Sequence, residues 1–366
     1  MLAASILCCS GNPTTPAIGY ASDPDRLNSG SVAQADYDLS RHRGDLPIRI
    51  TTATPVTGAP HLVEEVDQAL DFRSDPSMVA VVGPGGSREA LQTAPIYRDA
   101  QIPNIIPTST SHLLKGIGPW AFLLAPDDSL QGEFIAGYAA QQLHARSALI
   151  LYVPDEYGLG LAGSVHAALN RRDIPVLAQI PIRSEQSCPL ESSVNGYSDM
   201  VAAALLDGVP DLVVLATRTR DSACIARAMQ ARVAGVRFVA GDGTLVDSAF
   251  IALAGRATDS MAVVVFWHSD KDDLGSRAFA RRFRAIVGRE ARSDDAMYYD
   301  AVMVVVQAIR TAGPSRAAIG RYLAELGRTQ PPYEGVTGPI AFTPGSPRPM
   351  LMTRIRHGRD ELVPVP

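Results

Sequence analysis

The sequence predicts an α/β fold of two lobes, each built on a parallel-rich sheet with helices on both faces. Short apolar runs alternate with amphipathic segments along nearly the whole chain, which is typical of parallel sheets covered by helices. The chain has 366 residues, more than one ordinary domain holds. Because the predicted strands are also too numerous for one sheet, we expect two lobes.

In the first third of the chain, short apolar runs bounded by Gly, Pro or polar residues predict the strands. Residues 46–51 alternate in polarity as a half-buried strand does, and residues 60–72 place Leu62, Val66 and Ala69 on one helical face. The elements predicted here are strands at 16–22, 46–51, 79–82, 102–106 and 120–125, and helices at 29–41, 60–72 and 88–99.

The rest of the chain continues this alternation. Residues 296–312 bring Tyr298, Val302 and Val306 to one side of a long predicted helix. The other elements predicted here are strands at 148–153, 176–182, 212–216, 237–240 and 262–267, and helices at 132–143, 159–171, 197–206, 223–234 and 276–287. Two final apolar runs, 338–342 and 350–355, are separated by Pro and Gly and are predicted to pair as a hairpin.

The segment 79–112 predicts a binding edge. Its first strand is followed by the glycine-rich turn 83–87, and its second strand by the hydroxyl cluster 108–111. Both strands of such a βαβ unit end at the same edge of a parallel sheet, where open α/β folds place their ligands. Ser87 stands where the helix begins, so we expect its hydroxyl and the free backbone N–H groups to hold an anion.

Composition and missing motifs narrow the function. The net charge is −5 and no run of Lys or Arg occurs, which argues against nucleic acid as a partner. The chain lacks the spacings of a dinucleotide site, a P-loop, a zinc site and a nucleophile elbow, so no cofactor, metal or catalysis is expected. One alternative stays open, an α/β enzyme that holds a phosphate on residues 83–87.

The first fifteen residues resemble the end of an export signal followed by a tether. A short apolar run ends in Cys8 and Cys9 and passes into a Ser, Gly, Asn, Pro and Thr segment, without a basic start. We interpret residues 1–15 as a signal remnant, with a lipid anchor at Cys8 or Cys9. The alternative is a first strand with two buried cysteines. Cys188 and Cys224 could pair in an exported protein, whereas in a cytosolic one they would be ordinary core or loop thiols.

Two further loops supply groups that complement an amino acid. Tyr157 follows one predicted strand, and Asp242 follows another. A pocket with hydroxyls and a helix start on one wall and a carboxylate on the other suits a zwitterion. The ligand carboxylate would bind Ser87 and nearby N–H groups, and its ammonium would meet Asp242 and the hydroxyls of Thr108 and Thr110.

Several motifs occur in an order that resembles the type 1 periplasmic binding proteins, specifically the leucine/isoleucine/valine-binding family of ABC-transporter substrate-binding proteins. These motifs are IPNIIPTST at 102–110, DSLQG at 128–132, DEYG at 155–158, FVAGDG at 238–243, YDAV at 299–302 and YEGVTGPIAF at 333–342. Together they cover roughly residues 75–345. Each motif is loose by itself, and the set is fairly specific.

The resemblance implies roles for single residues. Ser87 matches the serine that binds the ligand carboxylate, and Thr108 and Thr110 match the positions that receive the ammonium. Tyr157 matches a pocket tyrosine, and Asp242 matches the acidic partner of the ammonium, one methylene shorter than the usual Glu. Where an aromatic residue often lines the pocket, this chain has Arg218. Arg218 either faces a polar or acidic ligand side chain or is a solvated loop residue.

The resemblance also implies an architecture and a partner. Two lobes would be joined by a three-stranded hinge that crosses near Pro126, Phe266 and Thr343, the arrangement known as a Venus flytrap. Lobe 1 would comprise residues 16–125 plus 268–342, and lobe 2 residues 126–265 plus 344–366. The implied role is a monomeric, extracytoplasmic solute-binding protein that delivers an amino acid to an ABC permease. The alternative is a ligand sensor that feeds a regulatory partner.

Overall fold

The computed structural model describes residues 15–21, 27–52, 61–183, 196–206, 208–259, 261–346 and 348–364. The described strands are β1 Ala17–Tyr20, β2 Arg49–Thr51, β3 Met78–Val82, β4 Asn104–Ile106, β5 Ala121–Leu123, β6 Ala148–Tyr152, β7 Val176–Pro181, β8 Leu212–Ala216, β9 Arg237–Ala240, β10 Ala262–Val265, β11 Tyr333–Glu334, β12 Pro339–Ile340, β13 Leu351–Arg356 and β14 Arg359–Val363. The described α-helices are α1 Leu27–Ser40, α2 His61–Ser74, α3 Ser87–Asp99, α4 Asp128–Gln141, α5 Glu156–Asn170, α6 Gly196–Ala204, α7 Thr219–Gln230, α8 Ser248–Ala254, α9 Leu274–Val287, α10 Ser293–Ala312 and α11 Arg316–Glu325.

The first sheet is parallel throughout and has the strand order β2-β1-β3-β4-β5. The side chains of β3 enter two different hydrophobic clusters. Met78 and Val81 of β3 pack with Phe72 of α2, whereas Ala80 and Val82 belong to the cluster that contains Val302 of α10. Helices therefore cover both faces, as the sequence predicts.

The second sheet has the strand order β14-β13-β10-β9-β8-β6-β7. Strands β6 to β10 are parallel, and β13 and β14 add two antiparallel strands at one edge. Strand β8 lies between β6 and β9 and is buried along its whole length. This position explains the unbroken apolar run LVVLA, because a parallel strand covered on both faces needs no polar side.

The predicted terminal hairpin is wrong. Strand β12 pairs with β11, and β13 pairs with β10 and β14. The two apolar runs belong to different sheets, because the chain crosses from one sheet to the other between them. Helices α8 and α11 and strand β14 were not predicted, and α4 begins at Asp128 instead of 132 because Asp127 caps it.

The chain passes between the two lobes three times: after β5, after β10 and between β12 and β13, where β11 and β12 form a separate two-stranded sheet and α10 and α11 pack against β3 of the first sheet. Arg348 on the third crossing donates hydrogen bonds of 2.5 and 2.8 Å to the carbonyls of Leu123 and Leu124 on the first. The two-lobe α/β architecture with a three-stranded hinge is thus confirmed. The residue limits given above for each lobe stay a prediction.

Two predictions from the sequence fall largely or wholly outside the described residues. They are the signal remnant or tether at 1–15, with Cys8 and Cys9, and the pairing of Cys188 with Cys224, because Cys188 is not described. Cys224 is described, is buried and is disulfide-bonded.

Candidate ligand-binding cleft

A cavity of about 470 Å³ lies between the two sheets, at the carboxyl ends of their parallel strands. Such strands end at one edge of each sheet, so the loops that follow them face each other across the cleft. Five of the six predicted site residues line this cavity: Ser87, Thr108, Tyr157, Arg218 and Asp242. Its volume lies within the range of small-molecule sites.

Ser87 occupies the first turn of α3, with Gly86 rather than Ser87 at the cap position. The Ser109 hydroxyl donates a hydrogen bond of 3.0 Å to the Ser87 hydroxyl oxygen. The O–H of Ser87 therefore remains available to donate, alongside the backbone N–H groups of the first turn. The preceding turn requires glycine at Gly83, where φ is +95° and a Cβ would lie 1.9 Å from the carbonyl oxygen of Ala21.

Glu89 is a cavity residue that the sequence analysis missed. It stands three residues after the cap, and its carboxylate folds back over the helix start, where a Cβ on Gly86 would lie 2.0 Å from Oε2. A Glu at this position commonly reaches back to the helix cap, and that spacing is the signal that could have found it. One negative charge consequently borders the predicted anion site.

The two predicted threonines have different surroundings. The Thr108 hydroxyl donates to the Gly85 carbonyl at 3.2 Å, which leaves its oxygen free to accept from an ammonium in the cavity. Thr110 does not line the cavity and is 1% exposed. Its carbonyl accepts the backbone N–H of Asp128 at 2.8 Å. Its hydroxyl lowers the pKa of the Asp128 carboxyl group, against the larger effect of burial. Thr110 therefore lies beside the start of α4 and outside the cavity lining.

Asp242 is held by a side chain that the sequence analysis quoted in a motif but did not assign to the site. Gln131 donates to Asp242 Oδ1 at 2.9 Å and accepts the Asp242 backbone N–H at 3.1 Å. Tyr157 accepts the backbone N–H of Gly243 at 2.9 Å. Burial raises the pKa of Asp242 to about 6, although hydrogen bonds from Gln131 and Tyr157 act in the opposite direction.

A second carboxyl group, that of Asp128, lies behind Asp242 and is fully buried. Burial raises its pKa to about 8; the hydroxyl of Thr110 opposes that rise, and the nearby charges of Asp242 and Asp127 add to it. Asp128 is therefore mostly protonated at neutral pH. It places no second full negative charge behind Asp242.

Arg218 is already paired within the protein. Its guanidinium donates to Asp155 Oδ2 at 2.8 Å and lies 5.6 Å from the centre of the Tyr157 ring. Asp155 also caps helix α5 by accepting the N–H of Gly158. The arginine lines the cavity, but its charge is largely offset by Asp155.

An ion pair bridges the two sides of the cleft. Arg88 of α3 donates to Glu156 of α5 at 2.8 Å, and both side chains are about two-fifths exposed, at 43% and 37%. This contact holds the helices that follow β3 and β6 together. The two lobes are therefore in direct contact at this edge of the cleft.

A second cavity of about 660 Å³ adjoins the first and shares Asp242, Leu245 and Ser293 with it. Several of its charged residues are paired within the protein, as in the contact of 3.6 Å between Arg292 and Asp247. Within the described residues, no three or more His, Cys, Asp or Glu side chains are grouped so that they could hold a metal ion.

Comparison with known proteins identifies the family. The sequence profile described as "Periplasmic binding protein" matches residues 65–356, which is most of the chain. This chain belongs to the periplasmic binding protein family. Members of this family and the structural neighbours are solute-binding proteins and not enzymes, so the phosphate-holding enzyme considered above is excluded.

Individual proteins are similar to this periplasmic binding protein in sequence or in fold. An "Amino acid binding protein" of Pseudomonas aeruginosa is 24% identical over 245 residues, which cover 66% of this chain and 63% of the relative. The leucine-binding protein LivK of Thermotoga maritima superposes with a TM-score of 0.81 at 18% identity, covering 95% of this chain and 98% of LivK.

Two further structures with bound ligands share this fold. LivJ of Streptococcus pneumoniae, in complex with isoleucine, has a TM-score of 0.81 at 18% identity and covers 95% and 99% of the two chains. A solute-binding protein of R. palustris in complex with benzoate has a TM-score of 0.76 at 14% identity and covers 95% of each. The same fold therefore accommodates ligands with and without an ammonium group.

The family indicates an extracytoplasmic location. In the part of the chain that the structure describes, no helix combines the length and the apolar character needed to cross a membrane.

If the ligand carries an ammonium that meets Asp242, the pKa of Asp242 predicts how the affinity depends on pH. Only the ionised carboxylate pairs with an ammonium, so ligand binding favours the ionised form and releases the proton. Because that pKa is about 6 in this structure, we expect the Kd to rise about tenfold between pH 7 and pH 5. Calorimetric titrations across this range measure the change. A Kd that stays constant from pH 7 to pH 5 would contradict the pairing.

Proposed function

We propose that this periplasmic binding protein captures an amino acid in the cleft between its lobes and delivers it to an ABC importer. One observation carries the proposal: donors and an acceptor face the same cavity from opposite lobes. Ser87 and the first turn of α3 offer hydrogen-bond donors, and Asp242 offers a carboxylate. An α-amino acid carries the complementary carboxylate and ammonium.

The number of contacts is sufficient for useful affinity. A desolvated hydrogen bond to a charged group contributes roughly 1.5–3 kcal/mol. Three or four such bonds, less the cost of ordering the ligand, reach about −8 kcal/mol, which corresponds to a micromolar Kd. Because the groups come from both lobes, ligand binding would favour the closed cleft.

Two observations support the proposed ligand class and the proposed extracytoplasmic location. The Pseudomonas aeruginosa relative is an amino acid binding protein, and LivJ is a branched-chain amino acid transporter substrate binding protein. The disulfide at Cys224 suits an oxidising compartment. We propose that the protein acts as a monomer outside the cytoplasm, with a lipid anchor at Cys8 or Cys9.

Calorimetry against the twenty amino acids tests the proposal. We expect at least one to bind with a Kd near the micromolar range, and the Ser87→Ala variant to bind it about tenfold or more weakly, because a donor to the carboxylate is lost. Ser77→Ala, which removes a hydroxyl outside the cavity, serves as a control for ligand binding. The absence of binding by all twenty at millimolar concentration would refute the proposal.

A further inference from the structure

The loop that carries Asp242 is held from two neighbouring helices. Gln131 of α4 donates to Asp242 Oδ1 at 2.9 Å and accepts the Asp242 backbone N–H at 3.1 Å. Tyr157 of α5 donates to the Asp242 carboxylate and accepts the Gly243 backbone N–H at 2.9 Å. Each side chain thus contacts both the carboxylate and the backbone of the loop, which leaves the carboxylate little freedom to turn.

The loop itself admits these two side chains closely. A Cβ on Gly241 would lie 2.8 Å from the Tyr157 hydroxyl oxygen and 3.0 Å from Gln131 Oε1. A Cβ on Gly243 would lie 2.7 Å from the same tyrosine oxygen. Glycine on both sides of Asp242 therefore permits an approach that a side chain at either position would obstruct.

An amide side chain suits position 131. The carboxylate of Asp242 requires a donor and its backbone N–H requires an acceptor, and an uncharged amide offers both. A reversed amide would place its oxygen against the carboxylate and its NH2 group against the N–H, so the two partners fix its orientation. The backbone is fixed as well, because the Gln131 N–H donates to the Asp127 carbonyl at 3.0 Å where α4 begins.

Gln131 is fully buried and does not line the ligand cavity, whereas Asp242 does. Any influence of the amide on the ligand therefore passes through Asp242. Burial of Asp242 favours its protonated form, and the hydrogen bonds from Gln131 and Tyr157 favour its ionised form. Because a protonated carboxyl group cannot pair with an ammonium, these two donors bear directly on ligand binding.

Other charged groups also surround Asp242. Against the larger effect of burial, Arg218 lowers the pKa of Asp242, and the carboxyl group of Asp128 is near enough for the two carboxyl charges to interact. The other charged residues that line the first cavity are Glu65, Glu89, Arg220 and Asp294. Those that line the second cavity, with the titratable His268, are Asp247, Asp270, Arg289, Glu290, Arg292 and Asp360. A substitution of Gln131 leaves all these groups in place and so tests the amide alone.

Resting on the proposed function, we infer that Gln131 is a positioning residue that acts through Asp242: its amide holds this carboxylate in one direction and in the ionised form that a ligand ammonium requires. Gln131 thereby sets the lower pH limit of tight binding without touching the ligand. Tyr157 makes the second contact from α5, but it lines the cavity and so also faces the ligand. Gln131 is therefore the residue at which the effect on Asp242 is separable from ligand contact.

The titration of Asp242 in the ligand-free protein gives the first test. Carbon-13 NMR of protein labelled at the aspartate carboxyl groups follows it, and the Asp242 signal is the one that disappears in Asp242→Asn. Gln131→Met keeps a similar volume but removes the donor, so the titration midpoint should rise from about 6 by about one pH unit.

Ile135→Val, which removes one buried methyl group from the same helix, is the matched control and should leave the midpoint unchanged. An unchanged midpoint in Gln131→Met, or an equal rise in the control, would overturn the inference.

Gln131→Glu provides a second variant, with a polar side chain of the same length. Two carboxyl groups that face each other resist ionising together. We therefore expect the Asp242 signal to complete its titration only above pH 7, at a higher pH than in the wild-type protein. A titration that is complete at the same pH as in the wild-type protein would contradict the direct contact.

Calorimetry then connects the amide to ligand binding. With an amino acid that binds, the Kd is measured at pH 6 and at pH 8.5 for the wild-type protein and for Gln131→Met. A midpoint raised by about one pH unit predicts that the ratio of the variant Kd to the wild-type Kd falls about fivefold from pH 6 to pH 8.5. A constant ratio would indicate a purely structural effect and would overturn the inference. Failure of all twenty amino acids to bind would instead refute the proposed function, and the NMR titration would still decide the role of Gln131.

Discussion

The Asp242→Asn variant is expected to bind the amino acid about a hundredfold or more weakly than the wild-type protein. Asparagine keeps the shape and the acceptor that Gln131 uses, but it removes the charge that faces the ligand ammonium. Removing one partner of a buried, hydrogen-bonded charge pair typically costs 2–5 kcal/mol, or about 3 kcal/mol here, because the other charge is left buried and unpaired. Calorimetry measures the loss.

The stability of the Asp242→Asn variant shows whether a loss of affinity comes from the binding site or from unfolding of the protein. The pKa of Asp242 is about 6 in the native protein, above its ordinary value of 3.8. The native state therefore favours the protonated side chain, and the stability contributed by this proton is lost as pH rises through about 6. At pH 7 a neutral asparagine should leave the melting temperature of the ligand-free protein unchanged or higher.

Asp272→Asn is a suitable control for the loss of a carboxylate, since the Asp272 side chain is 87% exposed and lies outside the cavity. We expect it to bind ligand as the wild-type protein does. Retained affinity in Asp242→Asn would show that this carboxylate does not receive the ammonium.

The Gly158→Ala variant is expected to lose about 3 kcal/mol of the free energy of unfolding. Gly158 lies in the first turn of α5, and a Cβ there would lie 2.0 Å from the carbonyl oxygen of Val153 and 2.8 Å from its nitrogen. Both contacts are with backbone atoms where the chain leaves β6, so no side-chain rotation relieves them. The helix start must move, and Tyr157 moves with it.

The same helix provides the control. A Cβ on Gly163 would meet no atom within 4 Å, so Gly163→Ala should leave stability unchanged or raise it by up to about 1 kcal/mol through the greater helix propensity of alanine. Urea denaturation of the three proteins measures both effects. Equal stabilities for the two variants would be inconsistent with the close packing of α5 against Val153.

Much of the fold could be predicted because its signals are local. The apolar run of β8 indicates a buried parallel strand, and the face of α10 that carries Tyr298, Val302 and Val306 indicates an amphipathic helix. The terminal hairpin was mispredicted for the same reason. A turn between two apolar runs has the same local pattern whether the runs pair with each other or belong to different sheets.

Site residues could be predicted from the sequence where they lie in a loop after a strand. They could not be predicted where their role depends on a contact with a residue distant in sequence. Ser87, Thr108, Tyr157 and Asp242 all come from loops near the carboxyl ends of parallel strands, and all line the cavity. Gln131 supports Asp242 from a position 111 residues away.

Packing also accounts for the position of Thr110, which was predicted to receive the ammonium; it lies outside the cavity lining, and its carbonyl accepts the backbone N–H of Asp128. A run of adjacent hydroxyl residues in the sequence does not indicate which of them turn towards a cavity and which turn towards the next helix.

The Arg88–Glu156 pair has a consequence for the kinetics of ligand exchange. Release from a closed cleft requires the lobes to separate, and this pair must break as they do so. Because both side chains are partly exposed, the pair contributes only about 0.2–1 kcal/mol, enough to lengthen the residence time of the ligand up to about fivefold. Salt weakens such a pair, so dissociation should accelerate with ionic strength while the contacts to the ligand stay the same.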